Sequence, residues 1–488
     1  MERLRPDDMA FLAAESASTP MHNATLEIFE PGDGFDHDRL LSLVADRIAF
    51  VPRYRQRIRT VPGRLASPVW VDDDDFDLAY HVRRSALPSP GSMKQLRDLT
   101  ARIITRRLDR TRPLWEMYLI EGLEGGRFAV LSKSHQILVD GVATIDLGQV
   151  ILDIDPVPKG TVHVDWRPHP PPSQTALVAG ALKDTLRDPW LAVDTMAENA
   201  GAVARTFGAV GGRVAELAQA LANRRFVPET PISARLSEQR RFVTVSSELE
   251  ELRAVRRFHG GTVNDVILAT ITGAMRSWLM TRAEPVHGSR SLRAMVPMSV
   301  FDSELEPTSL GSQVSGTLLS LPIGESSPVV RLHQVSYALK AHKETGRAVA
   351  ADRLAGVAGF APTTFHALGS RVAAAQSRRG FNLVITNVPG PQFPLYAAGA
   401  QMTESYPVQP LLPGHALSIG VTSYDGHVYF GLNGDRDALP DLEVLGQCVS
   451  EALEELVDSI SPHRQRAPRG RKKATVKSST PAKKTVNP

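Results

Sequence analysis

The 488-residue chain has a single cysteine, Cys448. No intrachain disulfide can form, so the fold must rest on its core, and a reducing compartment is the natural expectation. Cys448 falls in a helical pattern and reads as a small buried apolar residue. Nowhere is there an uninterrupted apolar run of the roughly 18 residues that a membrane-spanning helix needs. The opening MERLRPDDMAFLAAES has no run of signal-peptide kind. A cytoplasmic protein is expected, with peripheral contact to the inner face of a membrane left open. Also missing are an internal repeat, a P-loop, a Rossmann glycine pattern and a Cys/His cluster. The expectation is therefore no metal and no bound cofactor. Acidic residues are absent from one stretch in particular: positions 463–488 hold nine Lys or Arg and no Asp or Glu. Because the net charge is +3, the preceding 462 residues carry 3 − 9 = −6. A Pro-, Lys-, Ser- and Thr-rich tail of this kind cannot build a core and is expected to be disordered. It could be held near anionic lipid by charge or serve only as a solubilising end. Nucleic acid is a poor fit, because the tail has no aromatic residue and the rest is acidic.

What is present reads as two globular units, the prior for a chain of this length. Residues 39–50 have apolar residues at helical spacing, 68–71 (PVWV) read as a strand, and 94–107 return to helical spacing. The segment RPLWEMYLIEGLEGGRFAVLSKSH reads as two strands joined at Glu124 to Gly126. Its second strand ends at His135 and Gln136, and Asp140 and Gly141 close a loop before a helix. WRPHPPP at 166–172 marks a boundary. The Ala-, Leu- and Val-rich stretch from Ser173 to about Arg225 reads as crossover helices, with an amphipathic lipid-facing surface as the alternative to core packing. After it come a strand at RFVTVSS, a helix entered through Thr262 or Asn264, and strands at LRAMVPMSV, TLLSLPI and NLVITNV. A hairpin turns at Asp425-Gly426, and a closing helix spans 441–460. The expected divisions are 1–158, a linker at 159–230, 231–462, and the tail 463–488.

An H-x-x-x-D-G match alone is weak, but the motifs around it are ordered. PDDMAFLAAES, PMH, FDLAYHVRR, LDRTRPLWE, HQILVDG, VNDVILA, LRAMVPMSV, GSQVSG and NLVITNVPGP together cover nearly the whole chain except the tail. In this the chain resembles the bacterial wax ester synthase/diacylglycerol acyltransferase family, within the chloramphenicol acetyltransferase-like superfamily. The resemblance implies an α/β fold of two chloramphenicol acetyltransferase-like domains joined by a helical crossover, with a tunnel at their interface. It implies an O-acyltransferase that uses acyl-CoA as co-substrate and a lipid alcohol, diacylglycerol or a fatty alcohol, as acceptor. Peripheral association with a membrane or lipid droplet, through the tail or the crossover helices, accompanies that reading. A catalytically silent acyl-CoA- or lipid-binding relative, or an acyltransferase for another alcohol, stays open beside it.

Transfer from a thioester to an alcohol requires the hydroxyl to lose a proton, a task suited to a neutral imidazole. The superfamily motif is HHxxxDG, with the second His as base; this chain has HQxxxDG. Gln136 occupies the base position and has no titratable nitrogen. If the strand continued through this point, His135 and Gln136 would face opposite sides. By resemblance, Asp140 is structural, with Arg55 as its expected partner, and Gly141 gives clearance. Asn264, Asp265, Asn387, Pro389 and Gly390 are the tunnel candidates, with helix capping as the alternative for Asn264 and Asp265. Ser312 stands where the family commonly has Asn. Pro113 to Glu116 are read as supporting the strand behind the histidine.

Overall fold

A computed structural model describes residues 2–32, 35, 37–49, 51–64, 66–138, 147–157, 166–187, 230–299, 314–344 and 380–460. Asp140, Gly141, Ser312, most of the expected crossover and the basic tail lie outside the described residues.

Sixteen described strands form three sheets. In chain order they are β1 (Glu2–Arg3), β2 (His22–Glu30), β3 (Gln56–Arg59), β4 (Val69–Asp72), β5 (Val82–Ala86), β6 (Trp115–Glu121), β7 (Phe128–His135) and β8 (Leu152–Asp153). In the second half come β9 (Arg240–Glu248), β10 (Leu292–Ser299), β11 (Val314–Leu321), β12 (Leu383–Pro389), β13 (Tyr396–Ala397), β14 (Ala400–Val408), β15 (Leu417–Tyr424) and β16 (His427–Asp435). The helices are α1 (Pro6–Ala14), α2 (His37–Ile48), α3 (Leu78–His81), α4 (Met93–Thr105), α5 (Leu147–Ile151), α6 (Gln174–Arg187), α7 (Leu249–His259), α8 (Val263–Thr281), α9 (Pro328–Glu344) and α10 (Leu442–Asp458).

The local sequence explains most of these elements. At α4, Ser92 and Gln95 close a capping box, which satisfies two end N–H groups. The β6–β7 pair turns through Gly125, whose φ of 78° requires a residue without Cβ. At the β15–β16 turn both Asp425 (φ 43°) and Gly426 (φ 80°) are left-handed, the geometry that matches strand twist in a two-residue hairpin. Thr262 is the cap of α8, and α10 buries Leu442, Leu445, Cys448, Val449, Leu453 and Leu456 along one face. YHVRRSA is divided between two elements: its first two residues end the short helix α3, and the strand begins at Val82.

The first half builds a mixed sheet in the order β5-β6-β7-β2-β14-β13-β8, and the second a sheet in the order β11-β10-β12-β15-β16-β9. The first sheet is completed from the second half of the chain, which supplies β13 and β14. β14 pairs antiparallel with β2, from Val408 opposite Ala24 to Gln401 opposite Glu30, with an irregularity between Met402 and Glu404. The first core accordingly includes Leu395, Met402, Tyr406 and Val408 beside Leu26, Ile28 and Leu131. The second gathers around Trp278, Leu268, Ile385, Leu417 and Leu445.

β14 also lies close over β16. A Cβ built on Gly431 would stand 1.9 Å from the Pro407 carbonyl oxygen, a backbone atom that cannot turn away. Gly431→Ala should therefore push β14 off the second sheet and cost about 3 kcal/mol or more, at or above the top of the usual overpacking range. Urea denaturation measures it; a midpoint equal to that of the native chain would show that β14 tolerates the displacement.

Candidate active site

The end of β7 is fixed by backbone pairing on two sides. His135 donates its N–H to the Leu114 carbonyl at 2.9 Å, and Gln136 donates to the Met21 carbonyl at 3.0 Å. The residues Pro113 to Glu116 thus act behind the histidine, as expected of them. On the other side, antiparallel register sets His22 of β2 directly opposite His135. The extended chain stops there: Gln136 opens a short 3₁₀ turn, Gln136–Leu138. Strict alternation ends with it, so the expectation that His135 and Gln136 face opposite sides loses its basis. Both side chains are buried.

The His135 ring is oriented by two groups. Nδ1 accepts the Ile137 N–H at 3.2 Å, which places the imidazole proton on Nε2. Nε2 faces Glu15 Oε1 at 3.8 Å, an ion-pair rather than a hydrogen-bond distance, and both side chains are 1% exposed. Glu15 follows the last residue of α1, and its Oε2 receives Arg110 Nε at 3.0 Å and Nη2 at 2.5 Å. Arg110 also donates to the Leu12 carbonyl at 2.8 Å, tying the loop before β6 to α1. Glu15 and Arg110 were not singled out from sequence, although both lie in the motifs PDDMAFLAAES and LDRTRPLWE.

Beneath the histidine, the carboxyl end of α4 is closed by side chains from β7 and β2. Lys133 Nζ donates to the Ile103 carbonyl at 3.2 Å and to the Arg106 carbonyl, and lies 3.5 Å from Glu116 Oε2. His22 Nε2 donates to the Ile104 carbonyl at 2.7 Å. These carbonyls belong to the helix end, which favours cationic and N–H donors. Burial nevertheless pushes the Lys133 ammonium down to about 8, with Glu116 opposing the shift. Burial, followed by the nearby Lys133 charge, holds the His22 imidazole well below its usual range, so it is neutral. His22 lines a cavity of about 10 Å³ between the two halves, together with Arg240, Gln409 and Asn433. Arg240 spans the same seam, donating to the Ser18 carbonyl and to Asp435 Oδ2 at 3.4 Å.

The remaining candidates are in separate places. Arg55 is buried, with its guanidinium 4.3 Å from the Trp166 ring centroid and Nη2 donating to the Ala49 carbonyl at 3.2 Å. Among the described residues its buried Nε has no hydrogen-bond partner, and Asp140 and Gly141 are outside them. Asn264 and Asn387 are brought together, with Asn387 Nδ2 donating to Asn264 Oδ1 at 2.8 Å. Asp265 is a capping residue: Oδ2 accepts the Thr262 N–H at 2.9 Å and the Ser336 hydroxyl at 2.8 Å. Pro389 ends β12 beside Ser423, and the Gly390 N–H donates to Ser423 Oγ at 3.3 Å. No described hydrogen bond joins this second-half cluster to His135. Among the described residues no cluster of three His, Cys, Asp or Glu is arranged to hold a metal, and no helix is long and apolar enough to cross a membrane.

The wax ester synthase/diacylglycerol acyltransferase catalytic domain matches residues 4–267, and the C-terminal domain of that family matches residues 310–457. The chain belongs to this family. A probable diacylglycerol O-acyltransferase of Mycobacterium tuberculosis is 33% identical over 472 residues, covering 94% of this chain and all of that protein. The solved wax ester synthase/diacylglycerol acyltransferase of Marinobacter aquaeolei VT8 is 27% identical, with a TM-score of 0.65 over 94% of this chain and all of that one. The first condensation domain of the calcium-dependent antibiotic synthetase shares the fold alone, at 16% identity and a TM-score of 0.52 over 93% of this chain and 96% of that one.

The buried lysine under this site gives a pH-dependent signature. Its folded value of about 8 lies below the ordinary 10.5. The unfolded chain therefore binds the extra proton between those values, and the stability that Lys133 contributes above about 10.5 is lost as pH falls through 8. The native chain should gain stability relative to Lys133→Met as pH rises above 8, by up to about 1.4 kcal/mol per pH unit. Parallel pH-dependent unfolding curves for the two proteins would contradict this.

Proposed function

We propose that this chain is an acyl-CoA-dependent O-acyltransferase that passes a long-chain acyl group to diacylglycerol or a fatty alcohol. The observation that supports it most is the Glu15–His135 pair at the end of β7. With the proton on Nε2 beside a buried carboxylate, His135 Nδ1 is the nitrogen that can accept a proton, at the expense of the weak Ile137 contact. Glu15 then stabilises the imidazolium, a positioning role rather than a chemical one. The alcohol oxygen attacks the thioester carbonyl as its proton passes to His135. The tetrahedral intermediate collapses by breaking the C–S bond, and the proton goes to the departing thiolate, so CoA leaves as a free thiol. Gln136 can hold the hydroxyl by hydrogen bonding without taking its proton. Acyl-CoA is a co-substrate here and no resident cofactor takes part. Asn264, Asn387, Pro389 and Gly390 are assigned to the substrate tunnel and Asp265 to holding the mouth of α8. The protein would work in the cytoplasm, at the inner face of a membrane that supplies its lipid acceptor.

A second reading is a silent acyl-CoA- or lipid-binding relative. It draws support from Gln136, which leaves the family's base position without a titratable group. Thiol release from long-chain acyl-CoA with diacylglycerol separates the two. Transfer by His135 predicts release by the native chain and a loss of about 10²–10⁴ in His135→Asn, with Gln136→His faster than native. Release seen only after Gln136→His would overturn the acyltransferase reading in favour of the silent one.

Asp140 is assigned the partner role for Arg55, whose buried guanidinium, among the described residues, meets the Ala49 carbonyl, the Trp166 ring and the nearby charge of Asp72. Removing either end of a buried ion pair costs about 3–5 kcal/mol. Arg55→Ala and Asp140→Ala should each lower the thermal midpoint, and the double variant should be little worse than either. An Arg55→Ala protein as stable as the native one would refute the pairing.

A further inference from the structure

We propose that the small cavity between the two halves is a binding site for one buried water molecule, which bridges His22 Nδ1 on β2 to Asn433 Oδ1 on β16. Such a site does not depend on which substrate is bound. The cavity measures about 10 Å³, the space that the centre of a single water needs. Its walls come from both halves of the chain: His22, Ala24 and Ile104 on one side, and Arg240, Gln409 and Asn433 on the other. All six residues are buried, so bulk solvent does not satisfy the polar groups among them.

Two acceptors, one from each half, define what the site takes. His22 Nε2 donates to the Ile104 carbonyl at 2.7 Å, so Nδ1 of this neutral ring has a lone pair and no proton. Asn433 Nδ2 donates to the Gln409 carbonyl at 2.6 Å, which sets the direction of the amide and leaves Oδ1 as the remaining acceptor. Among the described residues neither His22 Nδ1 nor Asn433 Oδ1 has a hydrogen-bond partner. A bare acceptor in the interior bears its full desolvation cost, and two residues with such atoms around one small space call for a shared donor. Water has the two O–H groups required, and its oxygen can accept from the Arg240 guanidinium in the same wall. Other occupants do not fit. Arg240 repels a metal ion or an ammonium group, a simple anion has no proton for either acceptor, and an organic ligand is too large. The bridge acts where it counts, because His22 stands opposite His135 in the register of β2 and β7. It gives the second half a polar grip on the strand beside the histidine, next to the bond from Arg240 to the Ser18 carbonyl. It also keeps His22 in the Nε2–H form that closes the end of α4.

A high-resolution crystal structure of the full-length chain tests this directly. The expected result is an ordered water within about 2.5–3.2 Å of both His22 Nδ1 and Asn433 Oδ1. Clear density for both side chains with no water between them, or with a water that touches only one, would overturn the proposal. A pair of isosteric variants gives a second reading in solution. Ala24 shares the His22 face of β2 and lines the same space. Ala24→Val displaces the water and replaces none of its hydrogen bonds, whereas Ala24→Thr has the same shape with one hydroxyl to offer. The urea midpoint of Ala24→Thr should therefore lie above that of Ala24→Val. An Ala24→Val chain at least as stable as the Ala24→Thr chain is the result for a dry, apolar void, and would overturn the proposal as well.

Discussion

The structure depends on β2 being paired along both edges. Of its nine residues, His22 to Phe29 pair with β7 on one side and Ala24 to Glu30 with β14 on the other. One partner carries the histidine and the other comes from the far half of the chain. A strand held on both edges has its register fixed by every backbone bond along it. Any slip would move His22 away from His135 and at the same time shift β14 against β16, where Gly431 leaves no spare room. The site and the junction between halves are thus set by one element, a short run, HNATLEIFE, with no charged residue before Glu27.

From that strand the chemistry of the site follows in steps. β7 brings His135 to its last extended position and Gln136 to the first position of a turn. α1 brings Glu15, and Arg110 holds the carboxylate in place. Lys133 and His22, one on each strand, cap the carbonyl end of α4 below. The result is a histidine whose ring direction is determined by buried groups on both nitrogens. A glutamine at the next position changes the division of labour in such a site, because hydrogen bonding and proton transfer are no longer done by one residue. His135 is left as the titratable group, and Glu15 gives its charged form a counter-charge.

Much of this could be read from the residues, for stated physical reasons. Alternating apolar residues and a glycine turn gave the β6–β7 hairpin; Asp425-Gly426 gave the β15–β16 turn; one apolar face gave α10 and placed Cys448 inside it. The strand exchange was not legible. β14 reads AQMTESYPV, with Gln, Thr, Glu, Ser and Pro where a core strand usually shows a clean alternation, and its partner β2 lies far away in sequence, with Val408 opposite Ala24 (408 − 24 = 384) and Gln401 opposite Glu30 (401 − 30 = 371). The alternation of Ala24, Leu26 and Ile28 was the one available hint for β2. At the site, His135 and Gln136 stood out because they lie in a spaced motif. Glu15 and Arg110 did not, since an acid after a helix and an arginine in a loop are common surface features. Only tertiary packing makes Glu15 a buried carboxylate. The capping role of Asp265 was visible in Thr-x-x-Asp, while the Asn264–Asn387 contact joins positions that no local pattern connects.

The central claim is that Glu15 and the Ile137 N–H hold His135 as a neutral ring protonated on Nε2, with Nδ1 as its accepting nitrogen. Hydrogen positions of this kind are read directly by nitrogen NMR of histidine-labelled protein, with His135→Asn identifying the signal. The account predicts the Nε2–H tautomer in the native chain at neutral pH, and a change in the His135 signal in Glu15→Gln. A His135 ring protonated on Nδ1, or one whose signal is unchanged by Glu15→Gln, would contradict it.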